Sequence, residues 1–187
     1  MFTMSQVSLP VFEIGLNALA GVLDKAAAYA AAKKVDPSVL LGWRLAPDMF
    51  ALGRQIQVAC DQAKNGSARL AGIEPPKFDD TETTIEQFKE RIARTIGFLK
   101  TLDGKAMDAS SEREITFPLG QNKGQMKGCD YLNHFVLPNF YFHVTAAYAV
   151  RSDSAQADLA DLQGYPRRPG LTLCKSGKRY LRRCAAS

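Results

Sequence analysis

Four stretches of this chain repeat apolar residues at steps of three and four, and that spacing restricts the fold more than any other feature. An α-helix turns every 3.6 residues, so such a repeat lines one side of a helix with hydrocarbon and leaves the other wet. The first stretch carries Phe12, Leu16, Leu19, Leu23, Ala26 and Ala30. The second carries Met49, Leu52, Gly53, Ile56, Ala59/Cys60 and Ala63, and the third Ile85, Phe88, Ile92, Ile96 and Leu99. The fourth, CDYLNHFVLPNFYFHVTAAYAV, is aromatic-rich and reads as a well-buried helix. One-sided rods hide their stripes by packing on one another. The expected architecture is all-α, a four-helix bundle.

Local signals suggest where each rod begins and ends. Ser8 can cap the first helix and Pro10 suits its first turn, predicting a helix over 8–32. Asp36-Pro37 breaks it, and 39–45 reads as a short connector of about one helical turn. Pro47 at a first position, Asp48 where the helix dipole favours an anion, and Gly66 as a stop predict the second helix over 47–65. The stretch 67–80, with its GIEPP, is long enough to cross the bundle. The third helix is expected from Thr81, with Glu86, Glu90, Arg91 and Arg94 as solvated surface charge. REITFPLGQNKGQMKG holds a β-like fragment at 114–117 and then glycines, which predicts a short hairpin or an extended loop before the fourth helix. Pro138 must either start that helix or kink it.

Charge divides the chain. Its net charge is +5, yet seven of the 24 Lys/Arg fall in 165–187, where no acid stands, leaving 17 against 19 Asp/Glu. The expected organisation is one domain over 1–150 and an atypical basic tail over 151–187, without ordered structure and able to attract nucleic acid only weakly. Arginine and proline rise after Val150 and periodicity vanishes, as a reading-frame slip would produce. Glu13, Asp24 and Lys25 interrupt the apolar N-terminal stretch and no basic leader precedes it, so neither a membrane span nor a signal peptide is expected and the default location is the cytoplasm. Cysteines 60, 129, 174 and 184 form no CxxC pair, and Cys60 reads as core filler. GxGxxG, Walker A and GxSxG motifs are absent.

Three ordered motifs carry a resemblance: RLAPDMFALGRQIQVACDQAKNGSARLAG (44–72), the D-x-E-T-T run at 80–84, and YLNHFVLPNFYFHVTAAYA (131–149). Together they resemble the bacterial domain-of-unknown-function family numbered nineteen ninety-three, of the DinB-like clan. The resemblance implies an up-down-down-up bundle with a long crossover between the second and third helices, and a homodimer. In the clan's metal-binding members it implies a zinc- or nickel-type ion held by three histidines, one on the second helix and two four apart on the fourth. Metal-dependent thiol transfer is the enzyme class that this would bring.

Here the second helix has no histidine, and the four-residue spacing on the fourth reads Asn139–His143. His134 lies nine residues from His143, half a turn out of phase on a continuous helix. The polar residues left to furnish a pocket between the second and fourth helices are Arg44, Asp48, Gln55, Asn139, His143 and Tyr148. Asp48 and Gln55 are placed at the margin of the second helix's apolar stripe, with Arg54 and Asp61 pointing away from the core. His143 is either a hydrogen-bonded core residue or a general base or sole strong ligand. The functions expected are small-molecule binding, a clan-type metal enzyme in which Asp48 or Gln55 orients substrate, or a structural interaction module.

Overall fold

The computed structural model describes residues 2–152; the expectations about the basic tail concern residues outside that range. Helix α1 spans Met4–Lys33. It begins four residues ahead of Ser8 because Thr3 forms a capping box with Gln6. Ser8 caps nothing; its buried hydroxyl donates to the Met4 carbonyl at 2.7 Å, and Pro10 lies inside the helix. A left-handed Lys34 (φ 55) closes α1, and Asp36 caps the single turn α2, Pro37–Leu41.

The second long helix, α3, spans Leu52–Ala71, later and longer than the sequence signals predicted. Pro47 and Asp48 lie in a turn ahead of it. Gly66 does not stop it. That glycine sits against the fourth long helix, where an added Cβ would come within 2.5 Å of Val136 Cγ1. The stop is Gly72, whose φ of 75 suits a residue without a side chain. Helix α4 spans Ile85–Lys100 under a Thr84–Gln87 capping box, so 81–84 belong to the crossover.

A single turn α5, Gly104–Asp108, precedes the antiparallel hairpin β1, Glu114–Leu119, and β2, Asn122–Lys127, paired from Glu114↔Lys127 to Leu119↔Asn122. Alternation along β1 buries Ile115 and Phe117. Phe117 lies 4.7 Å from Tyr131 and 4.5 Å from Phe135 between ring centroids, pinning the hairpin to the last helical stretch. That stretch runs through α6, Gly128–Asp130, a π-helical turn, Tyr131–Val136, and α7, Leu137–Ser152. Pro138 lacks the N–H that a regular helix would send to the His134 carbonyl, and the wider π winding falls just upstream of it. The Asn139 side chain donates its Nδ2–H to the adjacent Phe135 carbonyl at 2.7 Å.

Around the bundle the neighbours run α1, α4, α3, α7 and back to α1. The helical stripes meet in one core that includes Phe12, Leu16, Ile56, Cys60, Phe88, Ile92 and Phe140. Burial pushes the Cys60 thiol up to about 12, so it stays a neutral packing group. By length and composition alone α1 is apolar enough to cross a membrane, contrary to the sequence reading, but Phe12, Leu16, Leu19 and Leu23 are spent on the core.

Arg91, expected on the wet face, is 1% exposed. Its Nη1 donates to Glu82 Oε1 at 2.9 Å and to the Asp79 carbonyl at 3.1 Å. Its Nη2 meets Asp61 Oδ1 at 3.1 Å and Asp80 Oδ1 at 2.9 Å. Lys64 joins Asp61 at 3.0 Å and lies over the Phe78 ring, with its Nζ 4.2 Å from the centroid. One guanidinium thus ties α3, α4 and the crossover together. Removing it would leave three carboxylates, Asp61, Asp80 and Glu82, facing one another without their shared counter-charge and a void where the buried guanidinium packed. Arg91→Ala should destabilise the protein by about 3–5 kcal/mol. Lys89→Ala, which removes only an exposed pair to Asp24, should cost about 1 kcal/mol or less. Urea denaturation of the two variants side by side checks the contrast.

Candidate functional site between α3 and α7

Helix α3 offers two polar flanks on either side of its apolar stripe. Arg54, Gln57, Asp61 and Lys64 recur at steps of three and four and face the crossover. Arg54 Nη1 pairs with Asp80 and, at 3.1 Å, with Gln57 Oε1, and Gln57 Nε2 donates to Glu82 Oε2 at 2.9 Å. Arg54 does point away from the core and is exposed, though it is tied to Asp80, whereas Asp61 is half-buried and pairs directly with Arg91. Burial alone would raise the Glu82 carboxyl, but its bonds from Arg91 and Gln57 outweigh that and hold it below the usual glutamate range.

Gln55 lies on the other flank, roughly 140° around the helix. It is 1% exposed, well inside the margin expected of it. Its Nε2 donates to the Phe50 carbonyl at 3.2 Å, which turns Oε1 toward α7. There Oε1 meets His143 Nδ1 at 2.7 Å. An amide oxygen can only accept, so Nδ1 carries the proton and Nε2 of the neutral ring is left as an acceptor. Neutrality is favoured by burial first and by the nearby Arg54 charge second, both of which lower the His143 pKa from its ordinary value.

Aromatic rings frame this pair. Phe50 lies almost parallel to the imidazole, 6.3 Å away between centroids at an interplanar angle of 18°. Phe142 meets it edge-on at 5.1 Å. Phe50 is 49% and Phe142 56% exposed, whereas His143 is 8% exposed, so the imidazole is recessed behind two open rings. Arg54 Cζ stands 5.9 Å from the Phe50 centroid.

The other residues named from sequence fall differently. Arg44 and Asp48 are exposed in the loop before α3, and Arg44 Nη1 donates to the Met49 carbonyl at 2.9 Å. Asp48 therefore does not stand in a first helical turn. Asn139 spends its Nδ2 on the Phe135 carbonyl, and Tyr148 is half-buried on α7. His134 is exposed, its Nδ1 3.7 Å from Asp130. Sequence reasoning missed Phe50 and Arg54 as parts of the site. The signal that was available is the pairing of an aromatic and a cation four residues apart, just ahead of Gln55.

The profile of the domain of unknown function DUF1993 matches residues 4–152. The chain belongs to the DUF1993 family. Among solved structures it is similar to a DinB family member protein from Shewanella denitrificans, at 36% identity. The match covers 86% of this chain and 91% of that one with a TM-score of 0.79. No curated protein matches.

This DUF1993 bundle has the DinB-like fold, but its donors do not fit a three-histidine ion. Carboxamides are poor zinc or nickel ligands, and Gln55 Oε1 already accepts from His143. Among the described residues, no group of three or more His, Cys, Asp or Glu is placed to hold a metal.

The lowered His143 pKa links to stability. The folded state binds this proton less readily than the unfolded chain does. The contribution is thus present in full above the unfolded value, about 6.5, and is lost as pH falls through the lowered folded value. His143→Gln removes the titrating group. Its melting temperature should change less between pH 7 and pH 5 than that of the wild type, as differential scanning calorimetry at stepped pH would record.

Proposed function

We propose that this DUF1993 protein binds a small molecule between α3 and α7, with His143 as the recognition group. The observation that carries the reading is the Gln55–His143 hydrogen bond. It fixes the tautomer and orientation of a recessed imidazole that burial keeps neutral, and is itself anchored by the Phe50 carbonyl. A core histidine would also be hydrogen-bonded. What favours a site is that only Nδ1 is used so, while Nε2 meets no hydrogen-bonding group among the described residues and the ring lies beside two exposed aromatics. Preorganised polar groups behind an apolar mouth are what ligand sites generally present.

Metal-dependent thiol transfer, the enzyme reading, is disfavoured by the donor chemistry above. A second reading, self-association as a homodimer, draws support from the exposed Phe50 and Phe142, which both meet the His143 ring. Such side chains gathered on one protein often mark an interface. The two readings make different demands on His143, because only ligand binding needs its acceptor nitrogen.

Thermal-shift measurements against a metabolite collection test the proposal. A ligand present at 100 times its Kd should stabilise the protein by about 2.7 kcal/mol, and His143→Ala should abolish that gain. Chelator should leave the shift unchanged. Elemental analysis of protein purified without a histidine tag completes the test. One zinc or nickel per chain, lost in His143→Ala, would overturn the proposal in favour of the metal enzyme.

A further inference from the structure

Three features of the His143 site narrow the class of molecule it can take; the inference therefore rests on the binding reading above. The first is polarity. With Nδ1–H committed to Gln55, the ring presents Nε2, which accepts a hydrogen bond and donates none. A ligand must bring the proton. A carboxylate has none to give, and its lone pairs would face the lone pair of Nε2.

The second feature is shape. The half-exposed Phe50 ring lies nearly parallel to the imidazole, and the Phe142 edge closes another side. Flat apolar faces favour a flat partner that can stack or meet them edge to face. The third is charge. Arg54 stands over Phe50 and uses one nitrogen, Nη1, for its bonds to both Gln57 and Asp80. A guanidinium at the mouth disfavours a cation and favours an oxygen that carries partial negative charge.

We propose that the His143 site takes a planar, weakly acidic hydroxyl compound, a phenol or an enol, whose O–H is donated to His143 Nε2 while its ring lies along Phe50. The hydroxyl supplies the proton that the imidazole lacks. Delocalisation into the ring makes the oxygen acidic enough to respond to Arg54. An aliphatic alcohol offers the donor without the face, and an aromatic amine that protonates offers the face with the wrong charge.

The probe is 4-nitrophenol, with nitrobenzene as the same ring lacking the hydroxyl. Binding to the full chain is followed at pH 6 by the His143 ring resonances in NMR and by calorimetry. 4-Nitrophenol should bind at least ten-fold more tightly than nitrobenzene, and His143→Ala should erase the preference. Phe50→Ala, at an exposed position that leaves the core intact, should weaken both compounds. In Arg54→Gln the absorbance of the bound probe at 400 nm should need a higher pH to develop than in the wild type. Equal binding of the two compounds would overturn the proposal. If neither compound binds while a cation or a carboxylate binds in a His143-dependent way, the class is wrong and the binding reading stands. If nothing binds through His143, the binding reading itself has failed.

Discussion

A guanidinium sealed inside a helical bundle is a demanding object, and the arrangement of this protein follows from satisfying it. Arg91 has Asp61 on α3 and Asp80, Glu82 and the Asp79 carbonyl on the crossover as partners. An unpaired charge at that depth would cost several kcal/mol, so the crossover cannot drift from the α3–α4 groove without exposing or stranding it. The D-x-E-T-T run acquires a physical meaning here. Its Asp80 and Glu82 neutralise Arg91, and its Thr84 caps α4. The same two acids then bind Arg54 and Gln57. The clasp thereby reaches the residue that stands over Phe50, the wall of the His143 site.

The stripes were legible because burial of hydrocarbon dominates packing and leaves a periodic trace. Ile85, Phe88, Ile92 and Leu99 are buried as their spacing requires, and the hairpin announced itself through β-branched and aromatic residues followed by glycines. End signals were less legible, because Gly and Pro serve more than one purpose. Gly66 looks like a stop but makes room for Val136. Pro47 looks like a first turn but stands in a loop. Thr3, which caps α1, was passed over because Pro10 suits the first turn of a helix that starts at Ser8, whereas here it lies inside the helix.

Polar residues were the hardest to place, for a reason that periodicity cannot reach. A single helical wheel assumes one neighbour and one solvent, whereas α3 is covered by α7 on one side and by α4 and the crossover on the other. Its buried arc is therefore wide enough to include Gln55 at one edge and Gln57 at the other. Arg91 misled for the complementary reason. Beside Glu90 it resembles an exposed pair, and only the long-range partners Asp61, Asp80 and Glu82 reveal that it points inward. The His143 site was partly legible: histidine and glutamine stood out as polar residues at facing helices, but the loop that brings Phe50 over them has no periodicity to read.

The two flanks of α3 also explain why a hydrogen bond can do between α3 and α7 what an ion does in other bundles. An ion joining helices must be offered several strong donors, and each donor must be held by further polar partners. Here the polar resources of α3 are already drawn to the Arg91 side, leaving Gln55 alone to face His143. One amide can accept one N–H and anchor itself on one carbonyl, which is what Gln55 does. The joint it forms is directional and neutral, and it leaves Nε2 of the imidazole with its lone pair unspent. That residual acceptor, recessed behind Phe50 and Phe142, is the chemical consequence of the way charge was distributed around the neighbouring helix.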